Sequence, residues 1–156
     1  MRILAIDYGE RRLGMALSDE LGIAAHGIDT VEVRSPGHAV KAISRAIAAH
    51  NPGKVVVGLP LNEDGSVGPR AQAVLDFCEV CRAKGKTPVE TWDERFSTIR
   101  AQRAMYEGGL NARKQKKHRD RLSAVIILQD YLETHPTKLD QSDQTQDDGP
   151  QDEQTT

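Results

Sequence analysis

Three things are missing from this 156-residue chain, and each absence narrows what it can be. No run of about 18 apolar residues occurs, so no membrane-spanning helix is expected. The opening Met-Arg-Ile-Leu-Ala-Ile-Asp reaches an acid too early for the apolar core of a secretory signal, and a cytoplasmic protein is expected. Cysteine is confined to Cys78 and Cys81. A C-x-x-C can be redox-active or half of a zinc site, but there is no second pair and no His-x-x-x-His to complete one. The pair falls late in a helical pattern with Val74 and Phe77 on a compatible face, which reads as a structural role. No internal repeat is apparent, and the length suits one domain.

What is present is an ordinary soluble balance, 38% apolar and 28% charged, with an uneven distribution of charge. The formal net charge is −2. The segment 137–156 holds six acids against Lys138, a net −5, which leaves the rest of the chain at +3. That segment is rich in Gln, Asp and Thr and has too few apolar side chains to order itself. The expected division is therefore an ordered domain over 1–136 and a disordered acidic tail over 137–156. Within the ordered part, "ARKQKKHRDR" places Arg113, Lys114, Lys116, Lys117, Arg119 and Arg121 around the single acid Asp120. Such a cluster either recognises a polyanion or forms a solvated face.

Hydrophobic periodicity predicts strands over 2–8 and 13–18, joined by a Gly-Glu-Arg turn, and a weaker strand over 23–33. Ser35-Pro36 starts a helix that Asn51-Pro52-Gly53 stops. "KVVVGLP" is a continuous β-branched run of the kind found in buried parallel strands. A glycine-containing loop over 62–69, lacking apolar anchors, is expected to be mobile, and a helix over about 69–84 follows it. "PVETW" is a strand, Ser97 or Thr98 caps a helix ending at Gly108-Gly109, and a last helix spans about 119–134 with Leu122, Val125, Ile126 and Gln129 on one face. The order is βββ-α-β-α-β-α-α. Strands joined through helices run parallel, which sets the first, fourth and fifth strands side by side, with the opening hairpin completing the sheet.

That topology has a chemical consequence. Ligands of open α/β sheets bind beyond the carboxyl ends of the parallel strands. Asp7 stands at that end of the first strand, and Asp93 and Glu94 lie just past the fifth. A charge inside a strand core is costly unless it is paired or liganded. Neighbouring carboxylates repel, and they stay ionised when a cation sits between them. Oxygen-only donors select hard cations, Mg²⁺ or Mn²⁺, which hold a phosphate oxygen and activate water. Asp120, at the predicted start of the last helix, is either a first-turn acid complementing the helix dipole or a further ligand.

Taken together, "LAIDYGERRLGMALSD", "VVVGLPLNEDGSVGPRAQAV", "TWDERFST" and "DRLSAVIILQDYL" resemble the YqgF/RuvX family over residues 1–134. These are bacterial ribonuclease H-like nucleases, described as Holliday junction resolvases and as nucleases that process pre-16S rRNA. The resemblance implies a ribonuclease H-like α/β fold: a mixed five-stranded sheet, antiparallel hairpin plus parallel strands, flanked by helices. It implies a metal-binding catalytic triad of Asp7, Glu94 and Asp120. Arg95 is expected to contact a phosphate or orient Glu94, with Arg70, Lys116 and Lys117 as further substrate contacts. Asp93 and Asp19 match the family pattern too, with turn or cap roles open to them. The implied activity is a Mg²⁺- or Mn²⁺-dependent phosphodiesterase maturing the 5′ end of precursor 16S rRNA, as a monomer or homodimer.

Three other readings stay open at this point. Branched DNA is the alternative substrate, as in a Holliday junction resolvase. A nucleic-acid-binding protein without catalysis would share the basic cluster, although all three acids are present. "AIDYGERRLG" also resembles the phosphate-loop hairpin of the actin and sugar-kinase superfamily. Those proteins clamp a nucleotide between two such domains, and this chain has room for one.

Overall fold

The computed structural model describes residues 1–96 and 112–136, with side chains of the last helix described from residue 122. The helix expected after Ser97 and the acidic tail lie outside the described residues. Five strands form one mixed sheet: β1 (Ile3–Tyr8), β2 (Arg12–Ser18), β3 (Ala25–Glu32), β4 (Lys54–Leu59) and β5 (Val89–Asp93). Among the described residues three helices accompany them: α1 (Pro36–His50), α2 (Pro69–Lys84) and α3 (Ala112–Thr134), with a 3₁₀ turn at Glu94–Phe96. The strand order is β3-β2-β1-β4-β5, antiparallel across the first three and parallel from β1 to β5. This is the arrangement read from the sequence.

The boundaries follow local chemistry. Ser35 accepts a hydrogen bond from the His38 N–H at 3.1 Å, with Pro36 preset at the first helical position, so α1 starts there. Asn51 ends it in the left-handed region at φ 49°, donating its N–H to the Ile47 carbonyl at 2.8 Å. The β2–β3 turn is closed by Asp19, whose carboxylate accepts from the Ile23 N–H at 2.8 Å and the Ala24 N–H at 3.3 Å. These bonds, the Ile23 amide foremost, lower its pKa. Asp19 thus has the turn-capping role.

Two apolar layers sandwich the sheet. Leu4, Ile6, Leu13, Val55 and Val57 pack against α1 and α2 on one face, including Ile43, Val74 and Phe77. The alternate residues Ile3, Ala5, Ala16 and Val56 pack against α3 on the other. Cys78 is fully buried in the first layer, and burial pushes its thiol up to about 11, so it behaves as a small apolar side chain.

The last helix differs from the sequence expectation in two ways. It begins at Ala112 rather than near 119, so the basic run belongs to a helix of 23 residues. Ala, Arg, Lys and Gln are strong helix formers, and charge does not stop them from extending it. Gln129 is exposed, and the face packed on the sheet carries Ser123, Ala124, Ile127, Leu128 and Tyr131. The run "AVIIL" is apolar all round, which leaves the helical phase undetermined by pattern alone.

Candidate active site

Asp7 is the fifth residue of β1. Its alternation with Ile3 and Ala5 sets it on the α3 face, at the carboxyl end of the strand. It pairs with Gly14 on β2, and the parallel register that matches Ile6 with Val57 brings it beside Gly58 on β4. Only 8% of Asp7 is exposed. A carboxylate this deep would be costly on its own.

Glu94 supplies the second acid. Trp92 pairs with Gly58, and the 3₁₀ turn that follows β5 swings the Glu94 side chain back over β4. Only 3% of it is exposed. Its position is fixed by what Gly58 lacks: a Cβ there would stand 2.5 Å from Glu94 Oε1 and 2.6 Å from Ile127 Cδ1. The Glu94 carboxylate therefore occupies the space above Gly58, on the strand that pairs with that of Asp7. Two acids 87 positions apart in sequence are thus both buried at the carboxyl rim of the sheet, Glu94 against Gly58 and Ile127 of α3. Sequence reading did not pick out Gly58 as the seat of Glu94. The signal was available, because a glycine that interrupts a β-branched run marks a close approach.

Arg95 is held by Asp93. Its Nε donates to both Asp93 oxygens at 3.1 and 3.0 Å, and its Nη2 donates to Oδ2 at 2.7 Å. This forked pair holds Arg95 charged, and the Asp93 carboxylate also accepts from the Arg95 backbone N–H at 3.0 Å. Asp93 thereby stiffens the turn that carries Glu94. The 62–66 loop packs over the same guanidinium: Gly65, at φ +86°, lies where a Cβ would come 2.9 Å from Arg95 Nη1. That loop is knitted by the Ser66 N–H to Asp64 bond at 2.9 Å and by Asn62 Nδ2 to Ser66 Oγ at 2.9 Å.

Asp120 lies within α3, eight residues past its start, so the first-turn reading of this acid is replaced by an interior helical position. Tyr131 Oη reaches Lys54 and Glu90 near the amino ends of β4 and β5, whereas Ile127 covers Gly58. The helix therefore runs toward the carboxyl rim as it is followed back to its start. Position 120 is seven residues before Ile127, two turns earlier on the same helical face, about 10 Å further along. The side chains of Asp120, Lys116 and Lys117 lie outside the described residues. Among the described residues no three His, Cys, Asp or Glu side chains gather as a metal centre. Two buried carboxylates do stand at this rim, and all-oxygen donors fit a hard divalent cation. Arg70 sits elsewhere, exposed at the start of α2 on the opposite face of the sheet.

With this geometry in view, the chain was compared with known proteins. Residues 1–134 match the family model described as RuvX, Holliday junction resolvase. The chain belongs to the RuvX family. A Halothermothrix orenii relative is 41% identical over 132 residues, covering 85% of this chain and 94% of that one. A Clostridium acetobutylicum relative is also 41% identical over 132 residues, covering 85% and 98%. Both carry the provisional name pre-16S rRNA nuclease. Among solved structures, Thermus thermophilus RuvC with a Holliday junction substrate matches at TM-score 0.53 and 13% identity, covering 86% of this chain and 96% of that one. The fowlpox virus resolvase bound to junction DNA matches at 0.55 and 14%, covering 87% and 99%. At these identities the structural matches show the fold alone, a ribonuclease H-like one. Membership of the RuvX family assigns the chain to the nucleases, and so to the hydrolases.

Proposed function

We propose that this protein is a divalent-metal-dependent endonuclease that acts in the cytoplasm on precursor 16S rRNA, hydrolysing phosphodiester bonds near the mature 5′ end. The observation that supports the reading is the burial of Asp7 at the end of β1 and of Glu94 over Gly58 on the neighbouring strand. Asp7, Glu94 and Asp120 would hold Mg²⁺ or Mn²⁺. Bound there, the cation supplies a Lewis acid for a phosphate oxygen and a site at which water loses its proton near neutral pH. The residues of the chain do the rest. The burial of Asp7 and Glu94 excludes bulk water and fixes both carboxylates. Asp93 locks the Arg95 fork beside Glu94, where the guanidinium would contact a phosphate or orient Glu94. Lys116 and Lys117, two turns or less before Asp120, would neutralise the incoming backbone. Relatives near 40% identity that carry the rRNA nuclease name favour RNA as the substrate.

The family description favours a second reading, resolution of branched DNA. Symmetric cleavage of a junction calls for two copies of the site related by a two-fold axis, so a strictly monomeric protein would speak against it. The deciding experiment incubates matched precursor rRNA and four-way DNA junction substrates with Mg²⁺ or Mn²⁺, beside Asp7→Asn. Cleavage of the RNA by wild type and not by the variant is expected. Equal cleavage by both proteins would remove the assigned chemistry, and cleavage of the junction alone would transfer the activity to DNA.

A further inference from the structure

The rim that carries Asp7 has a second side. Asp7 and Tyr8 are consecutive residues of β1, so their side chains leave opposite faces of the sheet. Tyr8 joins the α1 and α2 layer, its ring stacked on Phe77 at 4.2 Å between centroids and 2° between planes. Beside it opens a cavity of about 340 Å³, within the size range of small-ligand pockets. Arg34, in the segment entering α1, and Arg70, in the first turn of α2, both line it. Both are exposed, and among the described residues neither guanidinium is in an ion pair. Glu10, also exposed, is the acid in the lining, so the lining keeps a net positive charge. The sequence reading placed Arg70 near phosphate but had no partner for it. Arg34, 36 residues away, was not singled out.

We propose that this cavity is a second phosphate-binding site, taking a non-scissile phosphodiester of the same strand whose scissile bond lies at Asp7 and Glu94; the inference rests on the nucleic-acid reading of that acidic site. Two guanidiniums facing one cavity suit phosphate, whose oxygens accept the planar fork of donors. Only the turn at Gly9 separates the two sites. Its N–H closes on the Arg12 carbonyl at 2.9 Å, and the absence of a side chain keeps the crest low. A strand crossing this crest would meet the acids and cation on one side and arginines on the other. The aromatic floor at Tyr8 offers its sugar or base an apolar contact. A free mononucleotide fits less well, because both arginines stand at the exposed mouth, where a chain can pass through.

The test measures binding rather than turnover. Single-stranded RNA labelled at one end is titrated with Asp7→Asn protein by fluorescence anisotropy across a series of salt concentrations. The same is done with Arg34→Gln/Arg70→Gln added, and with Arg45→Gln as a control on the outer surface of α1. Loss of two phosphate contacts is expected to weaken binding about tenfold at low salt and to reduce the slope of log K against log salt by about 1.4. Arg45→Gln is expected to change affinity less than twofold. Equal binding by the double variant and its parent, or equal weakening by the control, would overturn the proposal. So would displacement of RNA by inorganic phosphate beyond the effect of chloride at matched ionic strength, since the site would then take a free anion. Because binding is the readout, an absence of cleavage by wild type would sink the nuclease reading and leave this measurement intact.

Discussion

The α3 face of the sheet carries charged groups at both ends, and the two ends solve the problem in opposite ways. At the amino ends of β4 and β5, Lys54 and Glu90 stand 3.0 Å apart, and the Tyr131 hydroxyl accepts from Lys54 at 3.1 Å and donates to Glu90 at 3.2 Å. The Trp92 and His135 rings pack edge-on and stacked against Tyr131. Opposite charges meet, and the Tyr131 hydroxyl bridges them as acceptor and donor. At the carboxyl ends, two acids of the same sign are buried, Asp7 on β1 and Glu94 over Gly58 of β4. One end pairs its charges within the chain. The other buries two acids of one sign near each other along the rim, the arrangement from which the proposed cation site is argued.

The sharpest way to break this contrast is to remove charge from the acidic end. Asp7→Asn and Glu94→Gln keep size and shape while cancelling one negative charge each. Each is expected to lower the rate of metal-dependent cleavage at least 100-fold, about 2.7 kcal/mol of transition-state stabilisation. Mg²⁺ or Mn²⁺ is expected to raise the melting temperature of wild type, by about 1.4 kcal/mol of stability at ten times its dissociation constant, and to leave that of Asp7→Asn unmoved. A variant that keeps its metal-induced stabilisation would show that the cation is held elsewhere.

A geometric lesion comes next. Gly58→Ala inserts a methyl group into the Glu94 carboxylate and Ile127 Cδ1. Overpacking of this kind costs about 1–3 kcal/mol, and here the relief comes by displacing Glu94 or α3. Chemical denaturation is expected to show that loss together with a drop in kcat, since both depend on one contact. At the closed end, Tyr131→Phe keeps the ring packing and removes a buried hydroxyl. About 1 kcal/mol of stability is expected to go, with kcat/KM unchanged. If Tyr131→Phe lowered kcat as Gly58→Ala does, the two ends would be coupled through α3 and the contrast would fail.

The element order, the sheet topology and the placing of Asp7 and the Asp93-Glu94 segment at the carboxyl ends of β1 and β5 were all legible from the sequence. Strands joined by helices leave little topological choice, and apolar runs such as "KVVVGLP" announce themselves. Finer features were not. Pattern could not fix the phase of "AVIIL" on α3, because an all-apolar run has no preferred face, and Gln129 was assigned to the wrong side. The start of α3 was placed late because a basic run reads equally as loop or as helix until something packs near it. The Asp93–Arg95 fork and the seating of Glu94 over Gly58 depend on a 3₁₀ turn whose direction no periodicity encodes. Asp120, Lys116 and Lys117 belong to the proposed site through resemblance and helical position.

The smallest effect is expected from pH at the closed end. The hydrogen bond to the Tyr131 hydroxyl, followed by that to Glu90, raises the pKa of Lys54 above its ordinary 10.5. A cation with a raised folded-state pKa adds stability that is fully present below the unfolded value and lost as pH climbs through the folded one. Stability should therefore decline above about pH 10.5 by more in wild type than in Lys54→Met. Lys54 and Glu90 keep 29% and 41% of their side chains in water, so screening holds the difference small. Urea midpoints measured on either side of that pH, in a Tyr131→Phe background as well as in wild type, separate lysine from phenol ionisation. Parallel curves for wild type and Lys54→Met would mean that the ion pair adds nothing to the fold, and that this end is closed by its aromatic packing alone.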